Sequence, residues 1–436
     1  MYRRDFLVRS GAVLGAAALT SALQKVQAWP GVKPPTTQPN WEEVRSNFNL
    51  APGLIHMSGF FLASHPKPVR DAIEEYRRAF DANPIEYWFA NVQKAEANVV
   101  AAAGHYLGVD PADIALTDST TMGLGLLYGG LKLRKDQEVL TTTHDHYSTE
   151  ISLRLRAERD GATVRRVPLY RDATEKSLAE IVGNAIRAVT PKTRVLAVTW
   201  VHSCTGVKLP IRAIADALKP INAGRDEKDR VLLCVDGVHG LGVDGTTMPD
   251  LGCDFFVAGC HKWMFGPRGT GLVWGTPTAW NAASATIPTF DDPTYEMWME
   301  IRKPERVPIG ATMSPGGFHS FEHRWALDRA FNFHQAITKQ RISERIHSLN
   351  RQLKEGMAGM PHIKLYTPMS DELSAGIVCF DVQGMSSDNV VTALRKKNII
   401  ASVTPYKTLY ARLSPGLLVS PAEVDAALAA LHDLRA

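Results

Sequence analysis

Residues 231–275 read VLLCVDGVHGLGVDGTTMPDLGCDFFVAGCHKWMFGPRGTGLVWG, and this stretch decides the fold. Two apolar runs, 231–235 and 255–257, have the length and the β-branched and aromatic content of buried strands. Asp236 follows the first run, and Lys262 lies five residues after the second. In an open α/β sheet, ligands bind outside the carboxyl ends of the strands. The stretch therefore predicts a ligand site that contains an acid and a lysine.

One cofactor chemistry uses this pair of residue types. In pyridoxal-phosphate enzymes a lysine holds the cofactor as a Schiff base, and an aspartate keeps the pyridine nitrogen protonated so that the ring acts as an electron sink. A solvated loop lysine and a turn aspartate are the alternatives. The apolar neighbours Trp263, Met264 and Phe265 favour the first interpretation, because desolvation lowers the pKa of an amine. We predict that Lys262 and Asp236 are catalytic.

The order of motifs resembles the class V aminotransferase family. The motifs are Asp-Gly-Val-His at 236–239, His-Lys at 261–262 and Gly-Pro-x-Gly-x-Gly at 266–271. This resemblance implies an α/β protein of the fold-type I transferases that depend on pyridoxal 5'-phosphate. Its large domain would have a mostly parallel seven-stranded sheet, and a smaller α/β domain would follow at the C-terminus. The resemblance also implies a homodimer.

The phosphate of the cofactor has a candidate site before an apolar helix. Hydroxyls and free N–H groups at a helix N-terminus bind anions, although an ordinary helix cap has the same sequence. The resemblance assigns Ser119, Thr120 and Thr121 to the phosphate, together with His261. Relatives often have serine at the position of Gly259, so one phosphate contact is expected to be lost or replaced.

Other positions face the cofactor ring if the resemblance holds. His146 is expected to stack on the pyridine face and to handle protons, whereas His144 is expected to be structural. Ser203 and His239 are expected to bond the ring oxygen, with the phosphate as an alternative partner for His239. The pair His144 and His146 lacks a convincing third ligand, so no metal site is predicted.

The C-terminal part contributes the substrate contact. The segment Tyr-Ala-Arg-Leu-Ser-Pro at 410–415 matches a signature of the family. In the family, the arginine of this signature binds the substrate carboxylate through two hydrogen bonds, and the resemblance assigns this role to Arg412. A surface arginine is the alternative. Cysteine desulfurases need a thiol on a loop that corresponds to residues 401–410, and this segment has no cysteine. The resemblance therefore predicts an enzyme that is not a cysteine desulfurase.

Length and charge limit the remaining possibilities. With 436 residues, the chain is expected to form more than one domain. We predict an N-terminal arm at 29–50, a large cofactor-binding domain at 51–310 and a small domain at 311–436. Most of the net charge of +4 lies before residue 29, so nothing favours a nucleic-acid surface. Five cysteines without metal-type spacing are expected to be buried hydrophobic residues.

Residues 1–28 have the three regions of a signal peptide. Arg3-Arg4 precede Phe6-Leu7, an Ala/Gly-rich run at 11–23 is too short to span a bilayer, and a small-residue cleavage site is expected after Ala28. The arginine pair resembles a twin-arginine signal; a chance basic N-terminus is the alternative. The twin-arginine translocase exports folded proteins, which suits a cofactor loaded in the cytoplasm. We predict a periplasmic protein without stable membrane insertion.

Export and the class V motifs together narrow the function. They resemble the exported enzymes that tailor pyoverdine-type siderophores, which implies a glutamyl side chain on a siderophore precursor as substrate. A periplasmic amino-acid epimerase, aminotransferase or C–S lyase similar to isopenicillin N epimerase is the alternative. A cofactor binder without turnover is disfavoured, because it would not need Asp236, Lys262 and Arg412 together.

Overall fold

A computed structural model describes residues 40–172, 174, 177–301 and 308–434 of the chain. The predicted signal peptide at 1–28 and residues 29–39 of the predicted arm lie outside the described residues. The part of the chain that is described has no helix that is both long and apolar enough to cross a bilayer.

Strands and helices alternate along most of the chain. The strands are β1 (Ile55–His56), β2 (Ile114–Thr117), β3 (Glu138–Thr142), β4 (Thr163–Val167), β5 (Thr193–Thr199), β6 (Leu232–Asp236), β7 (Phe255–Gly259), β8 (Gly271–Gly275), β9 (Ile363–Leu365), β10 (Val378–Val382), β11 (Ile399–Ile400), β12 (Ser402–Val403) and β13 (Ala411–Leu413). The helices are α1 (Trp41–Ser46), α2 (Lys67–Ala82), α3 (Pro84–Leu107), α4 (Thr120–Gly130), α5 (Tyr147–Asp160), α6 (Leu178–Ala188), α7 (Ile211–Ala223), α8 (Met248–Leu251), α9 (Pro277–Trp280), α10 (Asp292–Trp298), α11 (Ile309–Met313), α12 (Phe321–Trp325), α13 (Leu327–Ile337), α14 (Lys339–Ala358), α15 (Ser387–Lys396) and α16 (Pro421–His432).

The large sheet has seven strands in the order β2-β8-β7-β6-β5-β3-β4. Strand β8 runs antiparallel to both of its neighbours, and the other pairs are parallel. Every residue of β5, β6 and β7 is buried, because helices cover both faces of the sheet. This explains why these strands read as continuous apolar runs. The predicted mostly parallel seven-stranded sheet is confirmed.

The smaller unit is built around the antiparallel sheet β12-β13-β10-β9. Its core includes Leu353 of α14, Phe380 of β10 and Val424 of α16. Strand β1 pairs in parallel with β11, so a segment before the large sheet also belongs to this unit. The predicted division at residue 310 falls inside α11, which packs on β2 of the large sheet.

Parallel pairing aligns the ends of β5, β6 and β7. Thr199, the last residue of β5, is in register with Asp236 of β6, and Asp236 is in register with Val257 of β7. The loops that follow these strands therefore leave the sheet side by side. One begins at Trp200, the second at Gly237, and the third carries Lys262. The sheet brings the predicted acid and lysine to the same edge.

We expect Gly206→Ala to destabilise the contact between the two units. Gly206 has a φ of +74°, and an added Cβ would lie 2.3 Å from the carbonyl oxygen of Ile377 and 2.6 Å from Oγ1 of Thr367. Left-handed backbone and overpacking together should lower the free energy of unfolding by about 2–4 kcal/mol. The denaturation midpoint measures this loss.

Gly125→Ala is the matched control, because Gly125 is exposed within α4 and an added Cβ meets nothing within 4 Å. This variant should be unchanged or more stable by up to about 1 kcal/mol. Equal midpoints for the two variants would contradict the expected role of Gly206.

Candidate active site

Asp236 is an acid buried at the carboxyl end of β6. Its side chain is 2% exposed, and Oδ1 accepts the backbone N–H of Val238 at 3.2 Å. Burial raises the pKa of the carboxyl group to about 6, while the positive charge of Lys262 opposes this rise. A buried carboxylate is costly unless a cationic donor faces it. A protonated pyridine nitrogen is such a donor, so the position fits the predicted role.

Lys262 lies in the loop after β7, close to His239. The Nζ atom is 3.3 Å from Nε2 of His239. Burial lowers the pKa of the amine to about 8, Asp236 opposes this effect, and the charge of Arg412 adds to it. With a pKa of about 8, roughly a tenth of the amine is unprotonated at pH 7, and the unprotonated amine is the form that acts as a nucleophile. The sequence predicted the direction of this shift from the apolar neighbours.

Three hydroxyls stand at the N-terminus of α4, where an anion can bind. Ser119 is the N-cap, and its Oγ accepts the N–H of Met122 at 3.1 Å. Thr120 accepts the N–H of Gly259 at 2.8 Å through Oγ1. Thr121 bonds through Oγ1 to Oγ of Ser148 at 2.9 Å. Accepting a hydrogen bond leaves the hydroxyl hydrogens of Ser119 and Thr120 able to donate to a phosphate.

Close packing explains the glycine at position 259. A Cβ there would lie 2.9 Å from both Oγ1 of Thr120 and Cε1 of His261. A serine at this position would therefore displace Thr120 and His261, two of the predicted phosphate ligands. The ring of His261 has a buried Nδ1 without a hydrogen-bond partner among the described residues. An anion bound here would supply one.

His146 caps α5 and is linked to the phosphate end of the site. Its Nδ1 lies 3.2 Å from both the N–H and the Oγ of Ser148, which also contacts Thr121. Burial, Lys262 and Arg412 lower the pKa of His146 to about 4, so the ring is neutral near pH 7. A neutral ring suits stacking on an aromatic cofactor. His144 instead stacks on Tyr170, with ring centroids 3.8 Å apart.

Tyr406 was missed by the sequence analysis. It comes from the loop between β12 and β13, and its hydroxyl lies 2.8 Å from Oγ of Ser203. Its ring meets His146 edge to face at 6.1 Å. Ser203 was predicted to bond the ring oxygen of the cofactor, and here its hydroxyl also contacts Tyr406. The segment 401–410, noted in the sequence for its lack of cysteine, contains this tyrosine and Tyr410.

Arg412 lies on β13 and reaches across to the large unit. Its guanidinium donates to the carbonyl oxygens of Ser203 at 3.0 Å and Val403 at 2.9 Å, and to Oγ of Ser402 at 3.2 Å. Its central carbon is 4.7 Å from the ring centroid of Phe60. Burial lowers the pKa of Arg412, which is 3% exposed.

These residues fit pyridoxal phosphate on four counts. The site has a desolvated amine, a buried acid, a hydroxyl-rich helix N-terminus and a neutral histidine. The groups come from separate loops at one sheet edge, as the rule for α/β proteins requires. When bound, the cofactor withdraws electrons from the α-carbon of an amino substrate. Lys262 would hold it covalently, Asp236 would face the ring nitrogen, and Ser119, Thr120 and His261 would hold the phosphate.

A family model described as aminotransferase class-V matches residues 63–404. The chain belongs to this family. The class V aminotransferase fold and its cofactor, pyridoxal phosphate, are therefore shown, and the chain is an enzyme of this type. The individual roles of the site residues stay predictions.

Curated relatives differ in activity. Isopenicillin N epimerase of Streptomyces clavuligerus is 23% identical over 355 residues, which cover 78% of this chain and 84% of the epimerase. A probable cysteine desulfurase of Halalkalibacterium halodurans is 24% identical over 358 residues, covering 78% of this chain and 80% of the relative. At such identities, the comparison supports the class of enzyme but does not choose between these reactions.

Solved structures agree on the fold. A variant of the enzyme C-DES, with glycine covalently linked to its pyridoxal-phosphate cofactor, has a TM-score of 0.80 at 20% identity and covers 90% of this chain and 99% of its own. An apo cysteine desulfurase from Thermococcus onnurineus has a TM-score of 0.75 at 19% identity and covers 92% of this chain and 99% of its own. The likeness confirms the fold-type I architecture.

We expect Gly259→Ser to weaken cofactor binding rather than to add a phosphate contact. The new Cβ would displace Thr120 and His261, two of the predicted phosphate ligands. A loss of roughly tenfold in affinity, about 1.4 kcal/mol, is expected from this overpacking. Equilibrium dialysis of the apoprotein against pyridoxal phosphate measures it.

Gly224→Ser makes the same change at an exposed glycine after α7, where an added Cβ comes no closer than 3.9 Å to its nearest contact. Cofactor affinity should stay at the wild-type value in this control. Tighter binding by Gly259→Ser would show that the phosphate ligands tolerate the side chain.

Proposed function

We propose that this chain is an exported pyridoxal-phosphate enzyme that acts on an α-amino acid group. The observation that carries the proposal is Arg412, a buried cation at the site. Its charge lowers the pKa of Lys262, His239 and His146, so it lies close to all three. No ion pair among the described residues includes Arg412. The α-carboxylate of an amino acid would be the anion that compensates for this charge.

The hydrogen bonds of Arg412 leave room for such a ligand. A guanidinium has five N–H donors, and three of them are engaged by Ser203, Ser402 and Val403. One N–H on each terminal nitrogen remains, which suits the two oxygens of a carboxylate. With the carboxylate held there, the amino group of the substrate would point toward the cofactor at Lys262.

Persulfide formation by the usual desulfurase route is not part of this proposal. All five cysteines are buried, and none lies between β12 and β13. Burial raises the pKa of Cys204, the cysteine that contacts the carbonyl oxygen of His144, to about 11. Such a thiol is a poor nucleophile near neutral pH. Tyr406 instead occupies the loop, which favours a reaction without a cysteine nucleophile.

The substrate that we propose is the glutamyl side chain of a pyoverdine-type siderophore precursor. Support comes from the twin-arginine-like pattern at 1–28 and from exposed aromatic side chains that could contact a flat chromophore. Phe290 is 51% exposed, Trp298 77% and Phe318 82%. In the family, the site is formed at a dimer interface, and we propose a homodimer that partly covers this apolar surface.

The function test uses purified mature protein loaded with cofactor. Adding a siderophore precursor with a free glutamyl amine should change the visible absorbance of the cofactor and the mass of the precursor. Arg412→Lys should raise KM roughly ten- to hundredfold, about 1.4–2.8 kcal/mol, because lysine cannot replace two parallel hydrogen bonds. Arg45→Lys, which alters the partly buried pair with Glu423, is the control and should leave KM unchanged.

The alternative is an epimerase, aminotransferase or C–S lyase that acts on small amino acids in the periplasm. A spectrum that responds to alanine, cysteine or cystine but not to the precursor would favour it. Sulfide release together with persulfide on the protein would instead restore the desulfurase interpretation. If the precursor is neither bound nor converted, the siderophore part of the proposal is wrong.

Export can be tested separately. Replacing Arg3 and Arg4 by lysine should leave the protein in the cytoplasm, because the twin-arginine translocase recognises the arginine pair. Cell fractionation followed by immunoblotting measures the distribution. Lysine substitution at Arg9, in the same leader, is the matched control and should not impair export. Periplasmic accumulation of the double variant would show that another route is used.

A further inference from the structure

Three side chains form a row that ends at the catalytic lysine. The indole Nε1–H of Trp263 donates to Nδ1 of His239 at 3.4 Å. On the other side of the imidazole, Nε2 lies 3.3 Å from Nζ of Lys262. His239 is 6% exposed and Trp263 is 4% exposed, so water does not compete freely for these contacts.

Donor chemistry determines the tautomer of His239. The indole nitrogen of tryptophan can only donate, so Nδ1 of His239 must accept. Burial, together with the charges of Lys262 and Arg412, keeps the pKa of His239 well below its usual value, so the ring is neutral. A neutral imidazole has one N–H, which must then be on Nε2. This N–H points toward the amine of Lys262.

The tautomer matters because an ammonium group has no lone pair. If Lys262 is protonated, an N–H of its ammonium group faces the Nε2–H of His239, and neither group can accept a hydrogen bond. The unprotonated amine, in contrast, accepts a hydrogen bond from this Nε2–H. We propose that Trp263 is a positioning residue: it holds His239 as the Nε2–H tautomer, and this tautomer favours the unprotonated amine of Lys262 that captures the cofactor. The proposal depends on the cofactor assignment alone and not on the identity of the substrate.

Other charged and titratable groups also face this row. Asp236 of β6 favours the charged form of Lys262, and Arg412 of β13 disfavours it. His146 before α5 and His261 beside Lys262 affect the pKa of His239 in the same direction as Arg412. None of these groups changes in a Trp263 variant. A change in Lys262 in that variant would therefore come from the tryptophan.

The orientation of the indole is set by packing between the two units. A Cβ on Gly376 would lie 2.8 Å from Cη2 of Trp263, and one on Gly416 would lie 3.2 Å from Cζ3. Both glycines belong to the smaller unit. The centroid of the Phe60 ring lies 6.4 Å from that of the indole. The direction of the indole N–H thus depends on how the smaller unit packs against the loop of Lys262.

The test follows cofactor capture by apoprotein without substrate. In Trp263→Phe, His239 can shift to the Nδ1–H tautomer, and its Nε2 can then accept from the ammonium form of Lys262. The rate of capture at pH 7 should fall about three- to tenfold, and its pH profile should move toward alkaline pH by about half a unit to one unit. Absorbance gives the rate, and borohydride reduction with peptide mass spectrometry locates the attachment at Lys262.

The matched control is Trp274→Phe. Trp274 is a buried tryptophan of β8 in the same sheet, and its indole nitrogen has no partner among the described residues. This variant should keep the wild-type pH profile. A nitrogen–proton correlation spectrum of histidine-labelled apoprotein provides a second readout, with His239→Asn identifying the signal. Wild type should show a protonated Nε2, and Trp263→Phe should show loss of this preference.

Incorporation of benzothienylalanine at position 263 replaces the indole N–H by sulfur and keeps the ring shape. This second variant tests the hydrogen bond if phenylalanine impairs folding. An alkaline shift in either folded variant, without a shift in the Trp274 control, supports the proposal. An unchanged pH profile together with an unchanged tautomer in the benzothienylalanine protein overturns it, whatever the outcome of the substrate assays.

Discussion

Parallel pairing of β5, β6 and β7 is the constraint on which the site depends. Their register places Asp236 at the end of the central strand of the three and sends the loop of Lys262 out beside it. Both groups are then removed from water, and burial shifts their pKa values toward each other, to about 6 and about 8. Desolvation alone accounts for the direction of both pKa shifts, because it disfavours the charged form of each group.

The smaller unit contributes side chains to the site at the edge of the large sheet. Arg412 and Tyr406 come from β13 and from the loop before it, and both contact Ser203 of the large unit. Trp263 also connects the two units. It follows Lys262 in the large unit, and its indole packs against glycines of the smaller unit. Movement of one unit relative to the other would change the surroundings of Arg412 and those of Lys262 together.

The class V family catalyses several reactions with the same cofactor, so the surroundings of the α-carbon must choose among them. In this chain the residues predicted to form those surroundings include a tyrosine hydroxyl, two neutral histidines and a buried arginine, and all five cysteines are buried. This combination is compatible with proton transfer at the α-carbon, which requires groups that hold or move a proton.

By itself, the sequence determined the sheet, because buried parallel strands are continuous apolar runs. It also located Asp236 and Lys262, because the residue at which such a run stops marks the end of the strand. The lowered pKa of the lysine also followed from its apolar neighbours. The tertiary structure decided the contacts between distant segments: Tyr406 with Ser203, Phe60 with Arg412, and Trp263 with His239. It also explained why position 259 is glycine: Thr120 and His261 lie too close for a side chain to fit there. Periodicity and motifs report local burial, whereas the direction of a hydrogen bond between distant segments depends on how the two units pack.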